Sequence, residues 1–275
     1  TAGGTLLPLK LLNLFCNNIS LLIPIKKKNI KIIKNYTNKK INLKTINSEN
    51  NLIKKIRYVD EYSLARLFQS NENEKESLSK IEIERVCKFL RKNKNKYDHI
   101  IFFNYGYLYE NKEFKKILNK ISKKLIINIQ SNSYNFGYNL ADKFSKGDII
   151  SMDEAEFRLL IKDKNKELKT LIKENLNIFK KFKILIITQG KLGAFIIFEG
   201  KINYIPTIFK PKIDSTGSGD IFLTMFSVCK IFKKFSIIES SILSHLCAGL
   251  HANTLGNRFN LSVPILKKTL DSILK

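Results

Sequence analysis

The heptapeptide Asp214–Asp220 (DSTGSGD) combines residue types that could bind an anion and move a proton. Gly217 and Gly219 flank Ser218, so the backbone can turn tightly and leave unpaired amides at the start of the apolar run that follows. A helix beginning there would attract phosphate, because its first N–H groups and its dipole both point at the anion. Asp220 would lie in the first helical turn, where a carboxylate can accept the proton of an attacking hydroxyl. The spacing predicts phosphoryl transfer to an alcohol.

A helix cap or a simple turn would explain the same residues, because Asp is common at helix starts and Gly-Ser-Gly is a frequent turn sequence. The heptapeptide is not a Walker A loop, since no Gly-Lys-Ser/Thr follows it. It also lacks the third glycine of a dinucleotide-binding fingerprint.

The charge of the chain is strongly positive: 275 residues include 49 Lys and Arg against 24 Asp and Glu, a formal net charge of +25. Such a charge is typical of proteins that bind nucleic acid or anionic membranes. The excess is mostly lysine and accompanies abundant Ile and Asn, whereas a nucleic-acid surface would concentrate arginine and interleave aromatic residues. We therefore expect solvated lysines, no specific nucleic-acid partner, and a preference for anionic substrates such as phosphorylated sugars.

The 4 cysteines and 3 histidines show no metal-ligand spacing. Isolated cysteines in apolar segments are typical of buried thiols in a reducing compartment, which predicts a cytoplasmic location. Lys or Asn interrupts every apolar run well before the roughly 18 residues that a membrane-spanning helix needs, so no membrane partner is expected.

Strands and helices alternate regularly from residue 99 onward. The pattern predicts strands at His99–Asn104, Leu125–Gln130, Asp148–Met152 and Lys183–Thr188, with helices between them. A hairpin that turns at Glu199–Gly200 and three further helices complete the chain. Such alternation favours a doubly wound, mostly parallel sheet of the α/β class, with ligands at the carboxyl ends of the strands.

The first 98 residues have a weaker pattern. It predicts a helix at Pro8–Asn18, strands at Ile19–Ile25 and Asn51–Asp60, and a helix at Ser70–Asn93. Lys26–Lys44 is rich in Lys, Asn and Ile, and its composition fits either a solvated flap or an unstable insert.

Four motifs, in this order, resemble those of the ribokinase-like (PfkB) carbohydrate kinase family, and the resemblance covers nearly the whole chain. Gly3-Gly4 resembles the di-glycine at which the sugar docks. Asp153–Glu156 (DEAE) resembles the family's N-x-x-E element linked to magnesium, with Asp in place of Asn. Thr188–Ala194 (TQGKLGA) resembles the T-x-G-x-x-G loop on the nucleotide side, and Asp214–Asp220 resembles the D-T-x-G-A-G-D signature. The resemblance implies one ribokinase-like domain over residues 1–275.

The resemblance also implies an activity: ATP-dependent phosphorylation of a hydroxyl on a sugar or sugar phosphate. Asp220 would be the catalytic base, and the amides of Gly217, Ser218 and Gly219 would stabilise charge on the transferring group. Asp153 and Glu156 would organise Mg²⁺ through water. ATP would contact Thr188, Gly190, Gly193, Ser215, Thr216, His245 and Asn253. For His245, a structural histidine within a helix is the alternative.

Within the family, the chain looks most like heptose-phosphate kinase domains and their relatives fused to a nucleotidyltransferase. Lys54–Asp60 (KKIRYVD) resembles that group's K-x-R-[FY]-[VI]-D, and Asn128–Ser133 with Phe136–Asn139 resembles the fused relatives. Lys55 and Arg57 would then hold the substrate's phosphate, with a solvated edge strand as an equal alternative. A nucleotidyltransferase domain outside this chain is a further expected partner.

Residues 26–68 occupy the place from which the family builds a small β-lid that covers the sugar and often pairs two subunits. The alternating segments Ile41–Ile46 and Asn51–Val59 could form this sheet, and their exposed edges would invite a second copy. We therefore predict a homodimer joined at the lid, with Lys55 and Arg57 facing the cleft. A monomer with a Lys/Asn-rich insert is the alternative.

Two features depart from the family pattern. Asn104 of Asn104–Leu108 (NYGYL) stands where the family often has the acid of D-[YF]-G-x-G, and the second glycine is missing, which weakens the sugar contact implied for Asn104. The family's first strand, with its acidic sugar ligand, would precede Gly3 and lie outside this sequence. Both departures favour a second interpretation, a catalytically decayed pseudokinase or scaffold that keeps the fold and nucleotide binding.

Overall fold

The computed structural model describes residues 3–37, 40–63, 65–73, 78–106, 111–132, 135–208, 213–256, 258 and 261–273. Tyr107, Leu108 and Ser133 of the compared motifs lie outside the described residues, as does Leu274 at the predicted end of the last helix. The amino-terminal part contains, in order, α1 (Leu6–Phe15), β1 (Ile19–Ile25), α2 (Ile30–Lys34), β2 (Ile41–Asn47), β3 (Lys54–Val59) and β4 (Arg66–Glu72).

The rest of the chain alternates between helix and strand. Its helices are α3 (Lys80–Asn93), α4 (Lys112–Lys120), α5 (Glu154–Ile161), α6 (Leu168–Asn175), α7 (Ser218–Phe232), α8 (Ile237–Ala252) and α9 (Val263–Ile273). Its strands are β5 (Ile100–Asn104), β6 (Leu125–Ile129), β7 (Gly147–Asp153), β8 (Phe182–Thr188), β9 (Gly193–Phe198) and β10 (Lys201–Pro206).

A six-stranded sheet in the order β10-β9-β8-β7-β6-β5 forms the centre of the molecule. Strands β5 to β8 are parallel, and β9 and β10 add an antiparallel hairpin at one edge. Successive residues of the central strands face opposite layers: Ile126, Ile149 and Ile184 pack against α7, whereas Ile127, Ile150 and Leu185 pack in the layer of α3 to α6. Because both faces are buried, the strands are continuously apolar. The predicted α/β class is confirmed.

Two small sheets accompany the central one. β1 pairs with β2 in parallel, from Ile19 opposite Ile41 to Ile25 opposite Asn47, and β3 pairs with β4 in antiparallel orientation. The pairing predicted between Ile41–Ile46 and Asn51–Val59 is therefore wrong. β2 is drawn instead to β1, because Ile41 packs into one apolar cluster with residues of α1, β1 and α2.

Lys26–Lys44, predicted as a flap or an insert, contains α2 and the start of β2. Ile33 of α2 is only 2% exposed, so single isoleucines between lysines are enough to fix this segment. The helix predicted from Ser70 begins ten residues later. Ser79 caps it with a capping box, in which Ser79 Oγ accepts from the Glu82 amide and Glu82 accepts from the Ser79 amide.

Helices α7 and α8 pack against each other and are largely buried. Their hydroxyls bond to carbonyls of the preceding turn, as in Thr224 Oγ1 to Asp220 O (2.6 Å) and Ser244 Oγ to Ser240 O (2.6 Å), which lets polar residues lie in the core. Across the described part of the chain, no helix combines the length and the apolar character that crossing a bilayer requires.

Gly193 and Gly190 provide a matched pair for testing the turn that opens β9. Gly193 has φ +134, and a Cβ there would lie 2.3 Å from the Ile205 carbonyl oxygen, whereas Gly190 has φ +55 and open space around it. We expect Gly193→Ala to lower the free energy of unfolding by roughly 2–4 kcal/mol, and Gly190→Ala by about 1 kcal/mol from backbone strain alone. Urea unfolding of both variants measures the difference, and equal losses would contradict the steric argument.

Candidate active site

The start of α7 forms an open anion-binding turn. Gly217, at φ +84, precedes the helix, and Asp214 Oδ1 accepts from the Thr216 amide (2.9 Å) to hold the turn. The amides of Gly219 and Asp220 find no acceptor among the described residues. A Cβ on Gly219 would meet nothing within 4 Å, so the space in front of these amides is open. The geometry suits a phosphate-sized anion.

The carboxylate of Asp220 lies beside this turn and is only 4% exposed. Its Oδ1 accepts from Asn128 Nδ2 (2.6 Å), and its Oδ2 accepts from the Tyr105 hydroxyl (3.3 Å). Burial raises the pKa of Asp220 to about 7, although both hydrogen bonds act to lower it. A carboxylate with this pKa can accept and release a proton near neutral pH.

Tyr105 and Asn128 reach Asp220 because of the parallel sheet. Tyr105 directly follows β5 and Asn128 is on the neighbouring β6, so the carboxyl ends of the two strands deliver both side chains to one edge. Gly4 joins them, since a Cβ at Gly4 would lie 3.8 Å from the Tyr105 ring. The predicted Gly4 therefore lies close to the predicted Asp220, and Gly3 is exposed next to it.

Asn104, a predicted sugar contact, forms hydrogen bonds that link the carboxyl end of β5 to the segment after β6. Its Nδ2 donates to Asn139 Oδ1 (2.8 Å) and its Oδ1 accepts from the Gly106 amide (3.0 Å). Asn139 is fully buried and donates in turn to the carbonyls of Asn104 and Gln130, both at 3.0 Å. This network positions Tyr105, and the sugar contact of Asn104 stays a prediction.

Asp153 and Glu156 meet at the junction of β7 and α5. Each side chain accepts from the other's amide, with Asp153 Oδ1 at 2.7 Å and Glu156 Oε2 at 2.8 Å, and Glu156 Oε1 also accepts from the Ser131 amide. Burial, together with the charges of Asp153 and Asp220, raises the pKa of Glu156 to about 8, although the hydrogen bonds from the Asp153 and Ser131 amides act to lower it. Glu156 and Asp220 thus repel each other across the site.

Mg²⁺ fits this arrangement only as a hydrated ion. Within the residues the structure describes, no three His, Cys, Asp or Glu side chains form a direct metal cluster. Mg²⁺ keeps several waters and needs only one or two carboxylates. A cation between Glu156 and Asp220 would relieve the repulsion that raises the pKa of Glu156. The residues present therefore fit a water-bridged Mg²⁺.

The predicted nucleotide loop follows β8. Thr188 ends the strand opposite Asp153 and Ala194, and the chain turns so that the Gln189 amide donates to the Gly193 carbonyl (2.8 Å). Gln189 Nε2 donates to Glu154 Oε2 (2.8 Å), which ties the loop to the start of α5. The nucleotide loop and the Asp153–Glu156 element are therefore neighbours.

The end of α8 supports the anion turn. The Asp214 amide donates to the Ala252 carbonyl (2.9 Å), and His251 Nε2 bonds the Thr216 carbonyl (2.8 Å). Asn253, a predicted ATP contact, ends α8 and donates to the Gly249 carbonyl (3.0 Å). Ser215 and Thr216 lie in the turn itself.

His245 lies deeper, at 5% exposure, with its ring edge-on to Phe222 at 4.8 Å. Burial lowers its pKa to about 4, which keeps the ring neutral. This setting supports the structural alternative given for His245.

Arg57 of β3 faces the anion turn. Burial acts to raise the pKa of Asp214, but the hydrogen bonds from Thr216 and, after them, the charge of Arg57 hold it below its ordinary value. The Nε of Arg57 is buried without a hydrogen-bond partner among the described residues. Lys55, two residues earlier, is exposed on the same face of β3.

Three site residues were not assigned a role from the sequence: Tyr105, Asn128 and His251. The sequence contained a sign of the role of Asn128, because this residue is the one polar side chain in an apolar strand, LIINI, that is buried along its whole length. Tyr105 and His251 carry no comparable signal, since their contacts depend on segments distant in sequence.

The fold and site define a class of protein: a doubly wound α/β protein with a buried carboxylate beside a phosphate-binding helix start, at the carboxyl ends of its strands. The chain belongs to the pfkB family of carbohydrate kinases, because the family model matches residues 24–260.

Individual proteins show the same relationship. The chain is 25% identical over 202 residues to the bifunctional protein HldE of Sulfurimonas denitrificans, covering 70% of this chain but only 40% of that protein. The ribokinase from Giardia lamblia superposes with a TM-score of 0.73 at 14% identity, covering 98% of this chain and 88% of the ribokinase. Phosphofructokinase-2 from Escherichia coli gives 0.75 at 12% identity, covering 99% and 87%. The predicted ribokinase-like fold is confirmed.

The raised pKa of Asp220 predicts how stability depends on pH. Folded Asp220 keeps its proton up to about pH 7, whereas the unfolded residue ionises near pH 4, so the stability gained from the proton is lost as pH rises through 7. We expect Asp220→Asn, which cannot ionise, to be more stable than wild type at pH 8, by up to roughly 4 kcal/mol, and nearly equal at pH 4.

Thermal midpoints of both proteins from pH 4 to 8 measure this difference. The exposed Asp271 provides the control, since Asp271→Asn should leave the midpoint nearly unchanged at every pH. A difference between Asp220→Asn and wild type that does not vary with pH would contradict the assignment.

Proposed function

We propose that this protein is an ATP-dependent kinase that phosphorylates a hydroxyl of a sugar or sugar phosphate. One observation carries the proposal: the buried Asp220, with a pKa of about 7, lies next to the open amides at the start of α7. A base and an anion site side by side are what phosphoryl transfer to an alcohol requires. Membership of the pfkB carbohydrate kinases supports the same activity.

In the proposed mechanism, Asp220 accepts the proton of the acceptor hydroxyl. Asn128 holds Oδ1 of Asp220, so Oδ2 points toward Tyr105 and the acceptor side. The amides of Gly217 and Gly219 stabilise the negative charge of the transferring phosphoryl group. The predicted contribution of the Ser218 amide is corrected, because this amide donates to the Ser215 carbonyl (3.0 Å) within the turn. Water-bridged Mg²⁺, held by Asp153 and Glu156, would neutralise further phosphate charge.

The nucleotide side of the proposed site begins at Thr188. The left-handed turn at Gly190 and Gly193 allows close backbone approach to a nucleotide, and the hydrogen bond from Gln189 to Glu154 keeps this turn beside the magnesium element. Ser215, Thr216 and Asn253 would contact ATP from the other side, where His251 holds the Thr216 carbonyl.

We propose a phosphorylated sugar, of the heptose class suggested by the sequence resemblance, as the acceptor. The support is Arg57, whose buried Nε has no partner among the described residues and whose charge faces Asp214 at the anion turn.

A fused nucleotidyltransferase domain is a further proposal. It is supported by the similarity to a protein that is named as bifunctional and of which this chain covers 40%. The free cysteines Cys16, Cys87, Cys229 and Cys247 support the proposed cytoplasmic location.

The β3–β4 hairpin is proposed as the lid and as the contact between two copies. Tyr58 and Phe68 stack at 4.2 Å on the face opposite Arg57, yet they are 46% and 58% exposed. An isolated two-stranded hairpin is marginally stable, so a second copy that covers this aromatic face would stabilise it. Sedimentation velocity distinguishes the proposed homodimer from a monomer, and an active monomer would contradict it.

Replacing the proposed base tests the function directly. We expect Asp220→Asn to lower kcat by about 10²–10⁴-fold, because the hydroxyl loses its proton acceptor, while the Kd for nucleotide stays within about threefold. Sugar-phosphate phosphorylation with Mg²⁺ and ATP measures kcat, and nucleotide titration measures Kd. The exposed Asp271→Asn again serves as the control for folding.

Two outcomes would count against the proposal. A near-normal kcat in Asp220→Asn would remove Asp220 from the mechanism. Nucleotide binding by wild type without turnover of any sugar or sugar phosphate would favour the pseudokinase instead.

The role of Arg57 predicts a selective effect on the acceptor. We expect Arg57→Ala to raise KM for the phosphorylated sugar by roughly 10-fold or more, because a charge-assisted hydrogen bond is lost, and to change KM for ATP less than about twofold. The exposed Arg66→Ala, on the same hairpin, controls for a general loss of positive charge. Equal effects of Arg57→Ala on both substrates would contradict the assignment.

A further inference from the structure

The amino-terminal ends of the parallel strands lie at the edge of the sheet opposite the candidate site. The segments that enter β5 to β8 reach this edge, as do the β9–β10 turn and the connection between α7 and α8. We call this surface the basal face, and it comprises residues 94–99, 121–124, 142–148, 177–183, 199–201 and 230–239. The Nζ of Lys230 lies 5.5 Å from the centroid of the Phe198 ring, beside the β9–β10 turn. Burial lowers the pKa of His99, and the nearby charges of Asp148 and Lys233 shift it in opposite directions, so these segments meet.

The basal face is strongly basic. Its segments contain 13 lysines and no arginine, against 5 acidic residues. Nine of these lysines are exposed: Lys96, Lys123, Lys146, Lys180, Lys181, Lys183, Lys201, Lys233 and Lys234. Lys183 pairs with Asp148 (3.2 Å), and the other eight form no ion pair among the described residues. Their charges are therefore available to an outside partner.

The opposite edge of the central sheet lacks this character. Its described residues are 104–106, 130–132, 135–140, 153–156, 188–193, 213–220, 253–256 and 258. They contain 5 acidic residues and only two basic ones, Lys191 and Arg258. Of the two edges, only the basal face is rich in lysine, so a negatively charged surface would attract the protein with this face foremost.

Apolar side chains protrude from the same surface. The connection between α7 and α8 leaves Phe232 and Phe235 44% and 40% exposed, and Ile238, in the first turn of α8, is 51% exposed. Lys233 and Lys234 lie between the two phenylalanines in the sequence, and both are exposed. Single exposed apolar residues are ordinary, but a tip that combines phenylalanines with lysines is typical of contact with a membrane interface.

The helices on both sides hold this tip in place. α7 ends where Lys233 adopts a left-handed conformation (φ +54) and its amide donates to the Lys230 carbonyl (3.2 Å). α8 begins with a capping box, in which Ser236 Oγ accepts from the Glu239 amide (3.2 Å) and Glu239 accepts from the Ser236 amide (2.7 Å). The phenylalanines are thus presented by a fixed scaffold, which reduces the entropy lost on docking.

The residue types favour an anionic bilayer over a polynucleotide as the partner. Clustered lysines are attracted to anionic headgroups by charge alone, whereas nucleic-acid contacts make use of the planar guanidinium of arginine, which the basal face lacks. Phenylalanine side chains can enter the boundary between headgroups and acyl chains. A surface of this kind contacts a bilayer without crossing it, so it needs no long apolar helix.

We propose that the basal face docks on the surface of an anionic lipid bilayer, with Phe232 and Phe235 inserted among the headgroups and the exposed lysines facing anionic lipids. The candidate site, at the opposite edge of the sheet, then points away from the bilayer and stays open to soluble substrates. The inference stands on the basal face alone and is independent of the proposed function.

Sedimentation with lipid vesicles tests the role of charge. At about 0.1 M salt, the 275-residue chain should bind phosphatidylcholine vesicles that contain about 30% phosphatidylserine at least roughly tenfold more tightly than pure phosphatidylcholine vesicles. We expect the double variant Lys233→Gln/Lys234→Gln to weaken this binding by roughly 10- to 30-fold, since two charges near the headgroups are lost. The control Lys267→Gln/Lys268→Gln removes the same charge from exposed residues of α9, outside the basal face, and should change binding less than about threefold.

The chain contains no tryptophan, so a single introduced tryptophan reports insertion directly. Phe235→Trp places the probe at the tip, and Tyr62→Trp places it at a 93% exposed residue between β3 and β4 as the control. On anionic vesicles, the emission of Phe235→Trp should shift to the blue and be quenched by bromine-labelled acyl chains, whereas that of Tyr62→Trp should not change. Thermal midpoints close to that of wild type establish that both variants are folded.

Three kinds of result would overturn the proposal. The first is equal binding to anionic and neutral vesicles, or equal losses in the two lysine double variants. The second is a blue shift in Tyr62→Trp instead of Phe235→Trp, which would place the contact on the β3–β4 hairpin. The third is binding to a DNA or RNA oligonucleotide that is tighter than binding to anionic vesicles and is lost in Lys233→Gln/Lys234→Gln, which would identify a nucleic acid as the partner.

Discussion

The burial of one carboxylate, that of Asp220, is the constraint on which the site depends. An ionised carboxylate in the interior is costly, and here two hydrogen-bond donors and the start of α7 only partly compensate, so the pKa remains near 7. The donors must be held firmly to do so. Asn128 is fixed within β6, and the Tyr105 carbonyl accepts from the side-chain amides of Asn135 (2.8 Å) and Asn132 (3.3 Å). The stability of the sheet and the properties of the base are therefore linked.

The sheet explains why the remaining groups gather where they do. β7 ends at Asp153 and β8 at Thr188, and both end at the same edge as β5 and β6. Each strand end thus delivers one polar group, while the end of helix α8 holds the anion turn through Ala252 and His251. Residues far apart in sequence reach one another because parallel strands share a direction.

Much of this arrangement could be predicted from the sequence, and the reasons are local. Glycines, a capping carboxylate and an apolar run identify the start of α7, and uninterrupted Ile and Leu identify the central strands. The predictions from sequence were wrong or incomplete where the contacts that determine the structure join residues far apart in the chain. β2 alternates as an edge strand would, but its partner is chosen by packing on α1, and the contact of His251 with Thr216 depends on how α8 ends. Lysines between the isoleucines of α2 also concealed a buried residue from any pattern.

The two neighbouring acidic side chains, Glu156 and Asp220, also couple ligand binding to the release of protons. Burial raises the pKa of Glu156 to about 8 and that of Asp220 to about 7, so both side chains retain protons near neutral pH. Any cation that binds between the two side chains favours their ionised forms and expels those protons to solvent. Ligand affinity and the acidity of the surroundings are therefore thermodynamically linked, so that acidification weakens binding even when no contact to the ligand changes.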